Sequence, residues 1–394
     1  MRSFTVGRIY GIPIRLDLTL LLILPLLAWL IGGQVELWVT NLNGIGANID
    51  AAPLTSGSTP MILGAAAAIG LFLGVLLHEL GHSVVAIHYG YPIDSITLWI
   101  LGGIAQFTDQ PEDWKHEFSI ALAGPVVSVA LGALSYGALM VLPASLDTVR
   151  FVVGYLALMN FALAAFNMLP GFPMDGGRVL RALLARDRPY ARATQIAAEV
   201  GKLFAILLGI VGLFANIFLV LIALFIYVGA SGEAQRTVMN AAFADVSVRD
   251  IMTPADDLET VTPETSVADL LDRMFRERHT GYPVLENGGL VGLVTLEDAR
   301  EVPEVERDAY LVEDVMTRDL ITVSADRNVM DAFDTMTENG VGRVLVVDDD
   351  GNLVGLLTRT DIMTALNIIR NAGFGPGAAS AADAAAVESG ASSP

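Results

Sequence analysis

The sequence predicts a polytopic α-helical membrane protein of about six transmembrane helices, with a membrane-associated β-hairpin, followed by a soluble α/β domain. Three observations carry this prediction. Across 394 residues the mean hydropathy is +0.56 and 53% are hydrophobic, too apolar for a soluble protein, yet the last third reads as ordinary soluble sequence. Apolar tracts long enough to cross a bilayer recur up to residue 228. Beyond them, residues 247–301 and 311–370 repeat each other. The expected organisation is a membrane domain over 1–235, a repeated domain over 236–371 and a disordered Ala-, Gly- and Ser-rich tail over 372–394.

Taken in order, the first span runs from Ile14 to Gly33, preceded by Arg2, Arg8 and Arg15, and these arginines place the N-terminus in the cytoplasm. A signal peptide is the competing reading. The apolar part is long and no small-x-small cleavage site precedes a soluble domain, so the stretch is read as an uncleaved span. Residues 34–60 contain no Lys or Arg and many Gly, Asn, Ser and Pro, which fits an external loop. Residues 61–89 return inward, and Phe118–Leu142 and Val149–Leu169 give two more spans. The tract Ile196–Val228 would run ~50 Å as one helix against a hydrocarbon core of ~30 Å, so it divides near Phe214-Ala215-Asn216. Six spans leave both termini cytoplasmic, with Arg178, Arg181, Arg186, Arg188 and Arg192 inside and Arg150 as the outer exception.

The inward span ends in His78-Glu79-Leu80-Gly81-His82. Residues 61–77 carry no charge and include seven glycines or alanines, and ionisable groups at membrane depth are functional by default. His78 and His82 are four apart, so on a helix their imidazoles share one face and offer two corners of a tetrahedral zinc site. Cysteine is absent, which leaves only nitrogen and oxygen ligands. Zinc lowers the pKa of a water toward about 7, and Glu79 beside the histidines can take its proton and later pass it to the leaving amine. The bland alternative is three solvated residues at a helix end.

A third ligand stands at the end of the fourth span, in Asn167-Met168-Leu169-Pro170-Gly171-Phe172-Pro173-Met174-Asp175-Gly176-Gly177-Arg178. The prolines break the helix, the glycines allow a tight turn, and Asp175 is held near the cytoplasmic membrane face on the side of the histidines. Between these segments, residues 93–107 are rich in β-branched and aromatic residues and are interrupted by Gly102-Gly103. They read as strands, tolerated at membrane depth only under cover of protein or a water-filled cavity. Either this hairpin positions an extended substrate by strand addition, at Gly102 and Gly103, or it is purely structural.

Together the HExxH and N-x-x-P-x-x-P-x-D-G patterns resemble the site-2 protease family of intramembrane zinc metalloproteases, in the branch with appended CBS domains. The resemblance covers residues 1 to about 370. It implies zinc held by His78, His82 and Asp175, Glu79 as the catalytic base, and Asn167 as a donor to the tetrahedral oxyanion. No PDZ domain is inserted, unlike many bacterial relatives, which excludes gating by such a domain. The repeats resemble a tandem CBS pair, with Val248–Thr253 answering Val312–Thr317 and Gly292–Thr295 answering Gly355–Thr358. That resemblance implies an adenine-nucleotide cleft (ATP, ADP or AMP) near Thr295, Asp298, Thr358 and Asp361, and a homodimer through the CBS domains. Thr and Asp at a helix start are equally N-caps. Arg343 and Arg359 are phosphate candidates or ordinary surface arginines.

Charge narrows the partners. The net charge is −20, and residues 243–370 hold 27 acidic residues against 11 arginines and no lysine. This surface excludes nucleic acid, whose phosphates need basic patches, and suits a high-salt cytoplasm. The expected activity is hydrolysis of transmembrane helices of membrane-protein substrates within the cell membrane, with CBS-dependent control. A CBS-regulated transporter or channel and an idle scaffold are the rival classes. The first leaves the HExxH-plus-Asp175 set unexplained, and the second leaves Glu79 unexplained.

Overall fold

The computed structural model describes residues 3–371 apart from 101, 108–110 and 112, so Arg2 and the tail 372–394 lie outside the described residues. Its contacts divide the chain into two compact units, with the boundary between Gln235 and Arg236.

The first unit opens with a hairpin, β1 (Ser3–Ile9) and β2 (Ile12–Asp17), before α1 (Leu18–Gly32) and α2 (Val35–Gly44). The first span therefore begins at Leu18 and not at Ile14. Ile12 and Ile14 alternate inward against Leu80 and Ile96, a short period-two pattern overshadowed in the sequence by the long apolar helix that follows. Asp17 marks the switch, its carboxylate accepting from the Thr19 N–H at 2.9 Å as an N-cap. At 15 residues α1 reaches only ~22 Å, and it bends by 68° into α2. The expected external loop over 34–60 is thus largely folded. Val35, Val39, Leu42, Ala47, Ile49 and Leu54 are buried together against Leu63, Leu139 and Phe151.

Next come α3 (Thr59–His88), β3 (Ile93–Trp99) and β4 (Gly102–Phe107). The expected hairpin over 93–107 is present, but it belongs to a four-stranded sheet of order β1-β2-β3-β4, closed in the middle by parallel pairing of Ile14 with Ile96. The unit continues with α4 (Trp114–Val141), α5 (Asp147–Asn167), α6 (Asp175–Ala185), α7 (Tyr190–Ala215) and α8 (Ile217–Ala242). Among the described residues, five helices are long and apolar enough to cross a membrane, or six with the α1–α2 pair. The long tract breaks at Asn216, whose side-chain oxygen accepts from the Phe218 N–H at 2.9 Å.

Arg150, the charge that fitted the topology badly, is 7% exposed. Its guanidinium donates to the carbonyls of Ala47 and Asn48 and to the Asp147 carboxylate, so it works as a clamp on the 46–49 turn.

The second unit contains α9 (Val248–Ile251), β5 (Thr253–Pro254), α10 (Val267–Glu277), β6 (Gly281–Glu286), β7 (Gly289–Thr295) and α11 (Leu296–Arg300) in its first repeat. The second repeat contains α12 (Val312–Val315), β8 (Thr322–Ser324), α13 (Val329–Glu338), β9 (Arg343–Val347), β10 (Leu353–Thr358) and α14 (Arg359–Asn371). The repeats exchange strands, since β5 of the first pairs with β10 of the second and Leu293 bridges to Thr317.

Replacing Arg150 with Met strands two buried carbonyls and a carboxylate, and is expected to lower stability by ~1–3 kcal/mol. Thermal unfolding in detergent would show this as a reduced Tm.

Candidate metal centre and inter-repeat cleft

His78 and His82 lie on α3 and Asp175 opens α6, and all three are buried. Asp175 Oδ2 sits 3.1 Å from Nε2 of each histidine, and the two Nε2 atoms are 3.2 Å apart. Tetrahedral ligands ~2.0–2.1 Å from zinc stand ~3.3 Å from one another, so this triangle has the right size for the ion.

The ring contacts agree. His82 Nδ1 faces the Ile120 carbonyl at 2.7 Å, which a protonated Nδ1 satisfies and which turns Nε2 toward Asp175. His78 Nδ1 lies 2.8 Å from the Ser128 hydroxyl, which fixes that ring in turn. The inner faces of two imidazoles thus meet a carboxylate oxygen, a donor set that calls for a cation between them. It is the one group of three or more His, Asp or Glu with such convergence among the described residues.

Both ring contacts come from α4, and so does the room for the ion. A methyl placed on Gly124 would collide with both Nε2 atoms, approaching His78 Nε2 to 2.7 Å. Ile120, Gly124 and Ser128 escape sequence reasoning because a backbone carbonyl, a glycine and a single serine within an apolar helix carry no spacing signature. The only trace is Gly124-Pro125 inside an apolar run.

Gly176 and Gly177 do not form the expected tight turn. They lie inside α6, where any side chain would strike the preceding loop, 2.6 Å from the Met168 carbonyl and 2.5 Å from the Phe172 nitrogen. Close helix-on-loop packing, and not a turn, is what holds Asp175. Glu79 is half-buried, and Gly103 of β4 backs onto it. A methyl on Gly103 would lie 2.5 Å from the Glu79 Cγ. Gly102, at φ 136°, opens the same strand opposite Trp99. Asn167 is the last residue of α5 and half-buried.

In the second unit, Thr295 and Asp298 form a reciprocal cap, with Thr295 N and Oγ1 both donating to Asp298 Oδ2 at 2.7 Å. Thr358 and Asp361 do the same at 2.9 and 2.7 Å. The capping alternative is therefore realised at both sites. Only the first pair lines a cavity of ≈ 580 Å³, together with Thr317, Asp319, Gly342 and Arg343. Arg343 bonds to Thr280 Oγ1 at 2.7 Å and pairs with no carboxylate among the described residues; burial pushes its guanidinium below the usual arginine range. Arg359 does not line this cavity.

Comparison with known proteins follows the same division. The profile of peptidase family M50 matches residues 66–146 and 143–208, and that of the CBS domain matches 248–304 and 312–368. A zinc metalloprotease of Methanocaldococcus jannaschii is 35% identical over 373 residues, covering 93% of this chain and 97% of the relative. The solved site-2 protease of Methanocaldococcus jannaschii is 34% identical, with 59% of this chain and 95% of that one covered at a TM-score of 0.41. Arabidopsis thaliana CBSX2, solved in complex with AMP, is 35% identical and covers 32% of this chain and 98% of its own at a TM-score of 0.29.

Gly124→Ala is expected to reduce zinc per chain at least about tenfold, because the added methyl takes the space between the imidazoles. Metal analysis of purified protein checks this. Gly103→Ala should instead keep the zinc and lower turnover by displacing Glu79.

Proposed function

Since the chain belongs to peptidase family M50, zinc metalloproteases of the site-2 type, and carries a CBS pair, we propose that it hydrolyses peptide bonds within transmembrane helices of other membrane proteins. The observation that carries this reading is the convergence of His78, His82 and Asp175 at 3.1–3.2 Å beside Glu79. A zinc ion held by these three supplies Lewis-acid chemistry and an activated water. Glu79, next to His78 on the same helix, accepts the proton of the attacking water and returns it to the departing amide nitrogen. Asn167 donates to the oxygen on which charge develops.

The substrate must be unwound before attack, because a helix engages its carbonyls in its own hydrogen bonds. β4 pairs with β3 on one side and, among the described residues, has no strand partner on the other. Its free edge, beginning at Gly102 and Gly103, holds the unwound segment by strand addition and presents it to Glu79. The protein lies in the cell membrane with both termini cytoplasmic, the metal centre toward that side.

The CBS pair binds an adenine nucleotide in the cavity beside Thr295, Asp298 and Arg343 and adjusts access to the protease site; two chains pair through these domains. Glu297, Asp298 and Asp319 line the cavity against Arg300 and Arg343, so charge favours the ligand with fewest phosphates.

Glu79→Gln should abolish cleavage of a membrane-helix substrate while retaining zinc, whereas Asp175→Ala should lose both. Wild-type protein without zinc or cleavage would refute the reading. For the cleft, calorimetry should find AMP binding more tightly than ATP, and Arg343→Ala should weaken AMP about tenfold, ~1.4 kcal/mol, for loss of a charge-assisted contact. Equal affinities in wild type and variant would remove Arg343 from the site.

A further inference from the structure

Away from the metal ligands, the membrane unit holds a buried cluster of charge centred on Arg181. Arg181 of α6 is 4% exposed, and Glu117 of α4 is fully buried. Arg181 Nε donates to Glu117 Oε1 at 2.7 Å, with Nη2 on the same oxygen, and Nη1 donates to Glu233 Oε1 of α8 at 2.6 Å. The guanidinium also lies 4.9 Å from the Phe172 ring and 4.8 Å from the Tyr190 ring. One cation therefore joins α4, α6, α8, the loop before α6 and the first residue of α7.

Stability alone is a poor explanation for such a cluster. Desolvating an arginine and two carboxylates offsets most of their attraction, and Glu117 Oε2 is left without a partner. What a planar guanidinium supplies is fixed geometry, since its fork sets the distance and angle between the groups it bridges.

The bridged helices are those that build the metal centre. Asp175 begins α6, less than two turns before Arg181. On α4, Glu117 lies one turn before Ile120, whose carbonyl orients His82. The loop between α5 and α6 is seated just as closely. Gly171 packs on Gly201, and a methyl on Gly229 would lie 2.9 Å from Pro173. A shift of α6 along α4 by a fraction of an ångström would open the triangle on its Asp175 side.

We infer that Arg181, with Glu117 and Glu233, is a positioning device for the metal centre. It locks α6 against α4 so that the Asp175 carboxylate meets both imidazoles, and it acts on metal affinity through that geometry without touching the ion. The inference rests on the reading that His78, His82 and Asp175 bind zinc.

The test measures zinc affinity of the full chain in detergent by competition with a chelator, alongside Tm. Arg181→Lys keeps the charge but cannot bridge both carboxylates in the plane, and should weaken zinc about tenfold. Glu233→Gln, at the more exposed end of the cluster, guards against misfolding and should weaken zinc by about threefold. Arg150→Met is the control: it also breaks a buried arginine cluster, lowers Tm, and should leave zinc affinity unchanged. Zinc-loaded wild type with unaltered affinity in both cluster variants would overturn the positioning role alone, as would an equal loss in Arg150→Met. Zinc-free wild type would overturn the metal-centre reading and this role together.

Discussion

Two imidazole nitrogens and a carboxylate oxygen meet within 3.2 Å in the apolar interior of a helix bundle. Unbalanced polar groups in such surroundings are strongly unfavourable, and a cation between these three would balance them. Much of the surrounding fold serves to bring these three atoms together. α3 supplies two of them in one turn, α6 the third, and α4 turns both rings the right way through Ile120 and Ser128.

Close approach is the second theme, and glycine makes it available. Gly124 lets α4 stand against the imidazoles, Gly176 and Gly177 let α6 sit on its own preceding loop, and Gly103 lets a strand lie against Glu79. At Gly124 and Gly103 backbone packs against a side chain, and at Gly176 and Gly177 against other backbone, with no methyl between. Irregular backbone at membrane depth is tolerated only where protein covers it, and here the sheet is covered by α3 through Ile12, Ile14, Leu80 and Ile96.

The parts legible in sequence are those encoded by short-range spacing. His78 and His82 announce themselves by a four-residue interval, the break at Asn216 by the excess length of its tract, and the repeats by self-similarity. Asp175 was legible once paired with the histidines, although the glycines after it serve packing and not a turn. The N-terminal hairpin was not legible, because Ile14 and Leu16 of a strand lead directly into the long apolar run that begins at Leu18 of a helix, and the whole stretch reads as one span. The contacts of α4 were hidden for another reason. They join residues 38 and 50 positions apart through a carbonyl and a hydroxyl, and spacing carries no information about such pairs.

The middle of the sheet has a consequence for biogenesis. Ile14 pairs in parallel with Ile96, 82 residues later, with α1, α2 and α3 between them. The hairpin β1–β2 leaves the ribosome first, yet the inner edge of β2 has no partner until α3 has been inserted and β3 has followed it. Unpaired strand edges are not tolerated in hydrocarbon, so that edge needs water or protein cover until β3 arrives. Sheet closure is thereby tied to the completion of α3: the parallel pair at its centre forms only after that helix has been made.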